Sequence, residues 1–108
     1  MSALGALSGL TIEDVTVGSG AVAEIGATVA IEWRGWLNRG DQFGNGIEVF
    51  RIGQRRLIAG LERGVVGMGV GGVRNLRISP HLGYRDQAVP GIPKNAVLNF
   101  EIKLLSIQ

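Results

Sequence analysis

Few side chains in this sequence of 108 residues could make or break a covalent bond. It holds no cysteine and a single histidine, His81, which excludes a disulfide framework, a thiol nucleophile, a Cys-based metal site and a pair of histidine ligands. Hydrolysis and group transfer need a nucleophile beside a base, a pair of carboxylates, or a metal. His81 has no partner for any of these and is read as a loop residue. The stretch Gly64 to Gly72 has the glycine content of a phosphate-binding loop, yet it lacks the Lys-Ser/Thr of a P-loop and follows a helical pattern, so it is read as a structural turn. Arg51, Arg55 and Arg56 form the densest basic cluster, which could touch phosphate or an acidic partner and is read first as a solvated rim. Tyr84 stands apart, because a tyrosine in the loop Gly83-Tyr84-Arg85-Asp86 is poorly explained by packing alone. The chemistry left to the chain is that of large apolar side chains with a few hydrogen-bond donors.

The elements that must position those side chains are mostly strands. Leu98, Phe100, Ile102 and Leu104 alternate with Asn99, Glu101 and Lys103, as a half-buried strand requires. Val29, Ile31 and Trp33 alternate with Glu32 and Arg34, and Leu76 and Ile78 with Asn75 and Arg77. Leu10 to Val17 and Ile47 to Ile52 are further strands. Gly18-Ser19-Gly20, Asn38-Arg39-Gly40-Asp41, Gly44-Asn45-Gly46 and Gly71-Gly72 are expected to turn, since their residues accept positive φ. Between Leu57 and Met68 the period changes: Leu57, Ile58, Leu61, Val65 and Met68 recur at spacings of three and four, which predicts a short amphipathic helix. Gly60, Gly64 and Gly67 each lower helix propensity by about 1 kcal/mol, so packing must hold that helix. Glycines at this spacing let a helix approach a sheet closely, and the last of them is also placed to end it. The arrangement this suggests is α+β, an antiparallel sheet with one short helix on its concave face.

Length and composition bound the rest. One domain is expected over 1–108, with 1–9 a loose N-terminal segment. Eleven bases against nine acids leave a net charge of +2, which disfavours nucleic acid as the main partner. Met1 to Leu10 carries no basic n-region, and no apolar run is long enough to span a bilayer. A soluble, cytoplasmic monomer without membrane contact is the expectation.

An ordered series carries a resemblance. Gly53, then Leu57-Ile58-Ala59-Gly60-Leu61-Glu62-Arg63-Gly64-Val65, Met68, Val70-Gly71, Ile78-Ser79-Pro80, Gly83-Tyr84, Pro90-Gly91-Ile92-Pro93 and Ala96 resembles the FKBP family from about Val29 to the C-terminus. The resemblance implies an α+β fold in which a twisted antiparallel sheet of five to six strands wraps around one short helix. It also implies peptidyl-prolyl cis-trans isomerase activity on X-Pro bonds, with proline-containing peptide segments or unfolded proteins as partners, macrolide inhibitors as ligands, and no cofactor or metal. That reaction agrees with the residues present, because it breaks no bond. Its barrier of about 18–20 kcal/mol is amide resonance. Twisting the amide makes it less polar than the planar ground state, so an apolar pocket favours the transition state.

By resemblance, Tyr84, Phe43, Phe100 and Ile58 fall at catalytic positions, and Trp33, Phe50, Leu57, Leu61 and Ile92 at substrate-binding ones. Leu61 would be the floor and Trp33, Phe43 and Phe100 the walls. The Ile58 N–H and the Tyr84 hydroxyl would bond the ligand. Periodicity alone leaves Phe100 and Ile58 open to a core role. The chain departs from the family pattern at Gly44, where an aspartate is usual, at Trp33 and Leu61, where tyrosine and tryptophan are usual, at Glu48, where an aromatic is usual, and in a shortened Gly44 to Ile47 segment. Those departures support the alternative of a catalytically weak proline-binding or scaffold/chaperone module of the same fold.

Overall fold

The computed structural model describes residues 8–108; residues 1–7, most of the segment expected to be loose, lie outside that range. Strands β1 (Leu10–Thr16), β2 (Thr28–Leu37) and β3 (Gln42–Arg51) precede helix α1 (Ala59–Val65), and β4 (Val73–Ile78) and β5 (Leu98–Ile107) follow it. They form one antiparallel sheet of five strands in the order β1-β4-β5-β2-β3. Strands β2, β4 and β5 turn their apolar sets inward, whereas Val15 of β1 and Ile47 and Val49 of β3 are exposed. Leu98, Phe100, Ile102 and Leu104 of β5 join Val29 and Ile31 of β2 and Leu76 and Ile78 of β4 in a core that Leu61 and Val65 of α1 complete.

Helix α1 is shorter than the spacing of Leu57 to Met68 predicts. Ile58 is the residue before the first turn, with extended backbone at φ −57°, ψ 147°, and the chain leaves the helix at Val66, φ −58°, ψ 129°, one residue before Gly67 at φ +88°. The remaining two glycines permit the close approach expected of them. A Cβ on Gly60 would lie 2.5 Å from the Ile78 side chain, and one on Gly64 would overlap Leu76.

Gly44-Asn45-Gly46 is not a turn. It lies within β3, where Gly44 pairs with Gly35 and Gly46 with Trp33, and neither glycine has positive φ. The physical reason is room for an indole: a Cβ on Gly44 would approach the Trp33 ring to 3.0 Å and one on Gly46 to 3.4 Å. The true turn of this hairpin is Asn38 to Asp41, where Gly40 adopts φ +104° and the Leu37 N–H donates to the Asp41 carbonyl at 2.8 Å.

Candidate functional site

Between the inner face of the sheet and the start of α1 lies an open cavity of about 400 Å³. Its sheet side carries three aromatic rings from neighbouring strands: Trp33 on β2, Phe43 on β3 and Phe100 on β5. Ring centroids are 6.3 Å apart for Trp33 and Phe43, 5.8 Å for Trp33 and Phe100, and 5.5 Å for Phe43 and Phe100. The last two pairs meet edge to face, an arrangement that adds about 0.5–1.5 kcal/mol per pair to the burial of the rings. Gly35 makes the cluster possible. It is the register partner of Phe100, and a Cβ there would collide with Phe43 and lie 3.1 Å from Phe100.

Leu61, 7% exposed, comes up from the first turn of α1 and lines the base. The remaining side is built from loops. Leu57 and Ile58 belong to the connection from β3 to α1, and Tyr84 to the segment that follows a single 3-10 turn at Pro80–Leu82.

Glu62 holds the first of those loops. It is buried at 6% exposure, and its two carboxylate oxygens accept the N–H of Gly53 at 2.9 Å and of Leu57 at 2.8 Å. A buried carboxylate needs such partners to offset its desolvation, and in exchange it fixes both ends of the Gly53–Leu57 segment. The Ile58 carbonyl in turn accepts the N–H groups of Leu61 at 3.1 Å and Glu62 at 3.2 Å. The second loop is held by its own backbone. The Arg85 N–H donates to the Pro80 carbonyl at 2.9 Å and the Asn95 N–H to the Arg85 carbonyl at 2.7 Å, with Arg85 at φ +57°.

Of the residues singled out from sequence, the structure gathers Trp33, Phe43, Leu57, Ile58, Leu61, Tyr84 and Phe100 around this one cavity. Phe50 and Ile92 it places in the hydrophobic core, 5% and 6% exposed, and not on the lining. Three charged side chains complete the rim: Glu48, Arg55 and Arg56, all exposed. Sequence reasoning passed over Glu62 and Gly35. The available signal for Glu62 was its place beside the apolar stripe of the helix, four residues after Ile58 and three before Val65. No comparable local signal marked Gly35, whose role depends on rings from two other strands. Among the described residues, no three His, Cys, Asp or Glu side chains gather where they could hold a metal ion. The cavity can therefore desolvate and orient an apolar group and bond its polar edges; nothing on its lining is arranged to attack it.

Comparisons with known proteins agree with this architecture. A family model described as FKBP-type peptidyl-prolyl cis-trans isomerase matches residues 20–105. Over 106 residues the chain is 43% identical to FK506-binding protein 3 of Candida albicans and 40% identical to FK506-binding protein 4 of Gibberella zeae. Each match covers 94% of this chain but only 25% and 21% of those two proteins, so the chain spans about a quarter or less of their length. Among solved structures, AtFKBP13 superposes with a TM-score of 0.86 at 31% identity, covering 94% of both chains. FkpA from Escherichia coli gives a TM-score of 0.82 at 29% identity, covering 96% of this chain and 54% of that one.

Proposed function

The chain belongs to the FKBP-type peptidyl-prolyl cis-trans isomerase family, and from that premise we propose that its aromatic cavity seats proline and accelerates rotation about the preceding amide bond. The observation that carries the reading is the triangle of Trp33, Phe43 and Phe100 over Leu61, faced by the loop residues Ile58 and Tyr84. Proline enters with its ring against the aromatic faces. As the amide twists it loses the charge separation of its planar form, and an apolar surround favours that less polar state. The Ile58 N–H and the Tyr84 hydroxyl hold the substrate backbone so that rotation, and not tumbling, is the motion left to it. FK506, named in the relatives, is the inhibitor expected in the same cavity.

Exchange spectroscopy on a short X-Pro peptide tests the proposal. Catalytic amounts of protein should bring cis/trans exchange, which takes tens to hundreds of seconds unaided, into the range of a second or below. Unchanged exchange with retained peptide binding would reject the enzyme and leave the second reading, a proline-binding module. Glu48 on the rim and the glycine at position 44 are what favour that reading. A monomer is the state proposed here, with Leu61 and Val65 of α1 closing the core against the sheet.

A further inference from the structure

The net charge of this chain is not spread over its surface. Beside the aromatic cavity, on the other side of the Gly53–Leu57 segment, runs a groove of about 610 Å³ between the flank of α1 and the His81–Arg85 loop. Arg55, Arg63, Arg85 and His81 line it above an apolar base that includes Ile52, Val66 and Leu82. Arg55 and Leu57 belong to both linings, so cavity and groove adjoin. Counting Arg56 on the cavity rim, the joined depression carries four of the eleven bases and two of the nine acids. The other seven bases and seven acids balance, which leaves the whole excess of +2 here.

Those arginines are also free of internal partners. The ion pairs among the described residues are Arg34 with Glu101, Arg39 with Asp41 and Arg74 with Asp14, none of them in the depression. Glu62 is already committed to two backbone N–H groups, and Asp86, next to Arg85, forms no ion pair among the described residues. The groove carries no Phe, Tyr or Trp platform for a nucleobase, and its apolar base suits the side chains of an extended peptide. We infer that the basic groove extends the proline cavity and selects proline segments flanked by glutamate or aspartate. The inference rests on the proline-binding reading and names the substrate class for that same cavity.

The test uses one X-Pro core flanked on either side by Ala-Ala, Glu-Glu or Lys-Lys, with turnover read by exchange spectroscopy and binding by chemical-shift titration. At low salt the Glu-flanked peptide should be the best substrate and the Lys-flanked one the worst, with kcat/KM on the order of tenfold apart, as two or three exposed ion pairs permit. Raising the salt to about 0.5 M should close most of that gap, because screening then acts within a few ångströms. The double variant Arg63→Gln, Arg85→Asn should bring the ratio of Glu-flanked to Ala-flanked rates to about one. Asn is chosen because position 85 has positive φ. Equal rates for all three peptides at low salt overturn the inference, as does a gap that persists in the folded double variant. If that variant fails to fold, the salt series on the parent decides alone. An acidic preference in binding without turnover keeps the inference and rejects the isomerase; turnover without preference does the reverse.

Discussion

On its sheet side the cavity presents Trp33, Phe43 and Phe100 from three neighbouring strands, whose register sets where each ring points and whose rings touch one another. On its loop side it presents Leu57, Ile58 and Tyr84 from segments without regular structure, and there the positions depend on particular hydrogen bonds: Glu62 to Gly53 and Leu57, Arg85 to Pro80, Asn95 to Arg85. In the sheet wall Phe100 is part of the core, with Trp33 and Phe43 packed against it through their ring contacts, so damage at Phe100 should appear as lost global stability. The loop wall hangs on polar contacts at the edge of the core, and damage there should appear first as local opening and weaker binding.

The largest effect tests the sheet wall. Phe100 is 4% exposed and lies in the core cluster, so Phe100→Ala should lower unfolding free energy by about 3–5 kcal/mol in a denaturant titration. A loss under about 1 kcal/mol would show that the ring serves the ligand and not the fold, and the contrast between the walls would collapse.

Glu62→Gln addresses the loop wall. The amide keeps one acceptor oxygen and turns an NH2 group toward the second N–H, removing one charge-assisted hydrogen bond worth about 1.5–3 kcal/mol. The expected signature is faster exchange of the Gly53 and Leu57 amides than of the β5 amides, with weaker peptide binding. Uniformly faster exchange throughout the sheet would mean that Glu62 belongs to the global core and that the two walls are one unit.

Much of the sheet wall was legible in the sequence because a period of two states which residues share a face, and Trp33, Phe100 and their neighbours follow it. The helix could be read for the same reason, although its ends could not: Leu57 and Ile58 satisfy the apolar spacing yet precede the helix, Ile58 with extended backbone and Leu57 held by a carboxylate five residues on. The Gly44-Asn45-Gly46 reading failed on a different point. Glycine has two uses, positive φ and missing volume, and the sequence does not say which applies until the Trp33 indole is seen to lie over the strand. Phe50 and Ile92 show the matching limit on the apolar side: hydrophobicity does not separate them from Phe100 and Leu61, which are as buried in the core but also line the cavity.

Tyr84→Phe removes one hydroxyl and little volume from the loop wall. Binding of an X-Pro peptide should weaken by about 0.5–1.5 kcal/mol while thermal unfolding stays within error. If affinity and turnover both match the parent, the hydroxyl is not a donor to the ligand, and Ile58 is left as the polar anchor proposed for that side.

The smallest effect concerns a polar group the sheet wall lacks. Gly44 follows Phe43 on β3 and stands where the family resemblance leads one to expect an aspartate. Because its φ is not positive, Gly44→Asp meets no backbone penalty of the left-handed kind. Its obstacle is the Trp33 ring 3.0 Å from the new Cβ, which must give by a few tenths of an ångström. One hydrogen bond from a ligand to a carboxylate is worth about 1.5–3 kcal/mol at most, and desolvation of the carboxylate together with the ring shift opposes it. A net gain below about tenfold in peptide or FK506 affinity is therefore expected, with stability changed by less than about 1 kcal/mol. Should the variant unfold at the parent's temperature yet bind no better, the sheet wall has no contact with the polar edge of the ligand. Orientation would then come entirely from the loop wall, and the division between an apolar, fold-bearing side and a polar, ligand-holding side would be sharper than the geometry alone makes it.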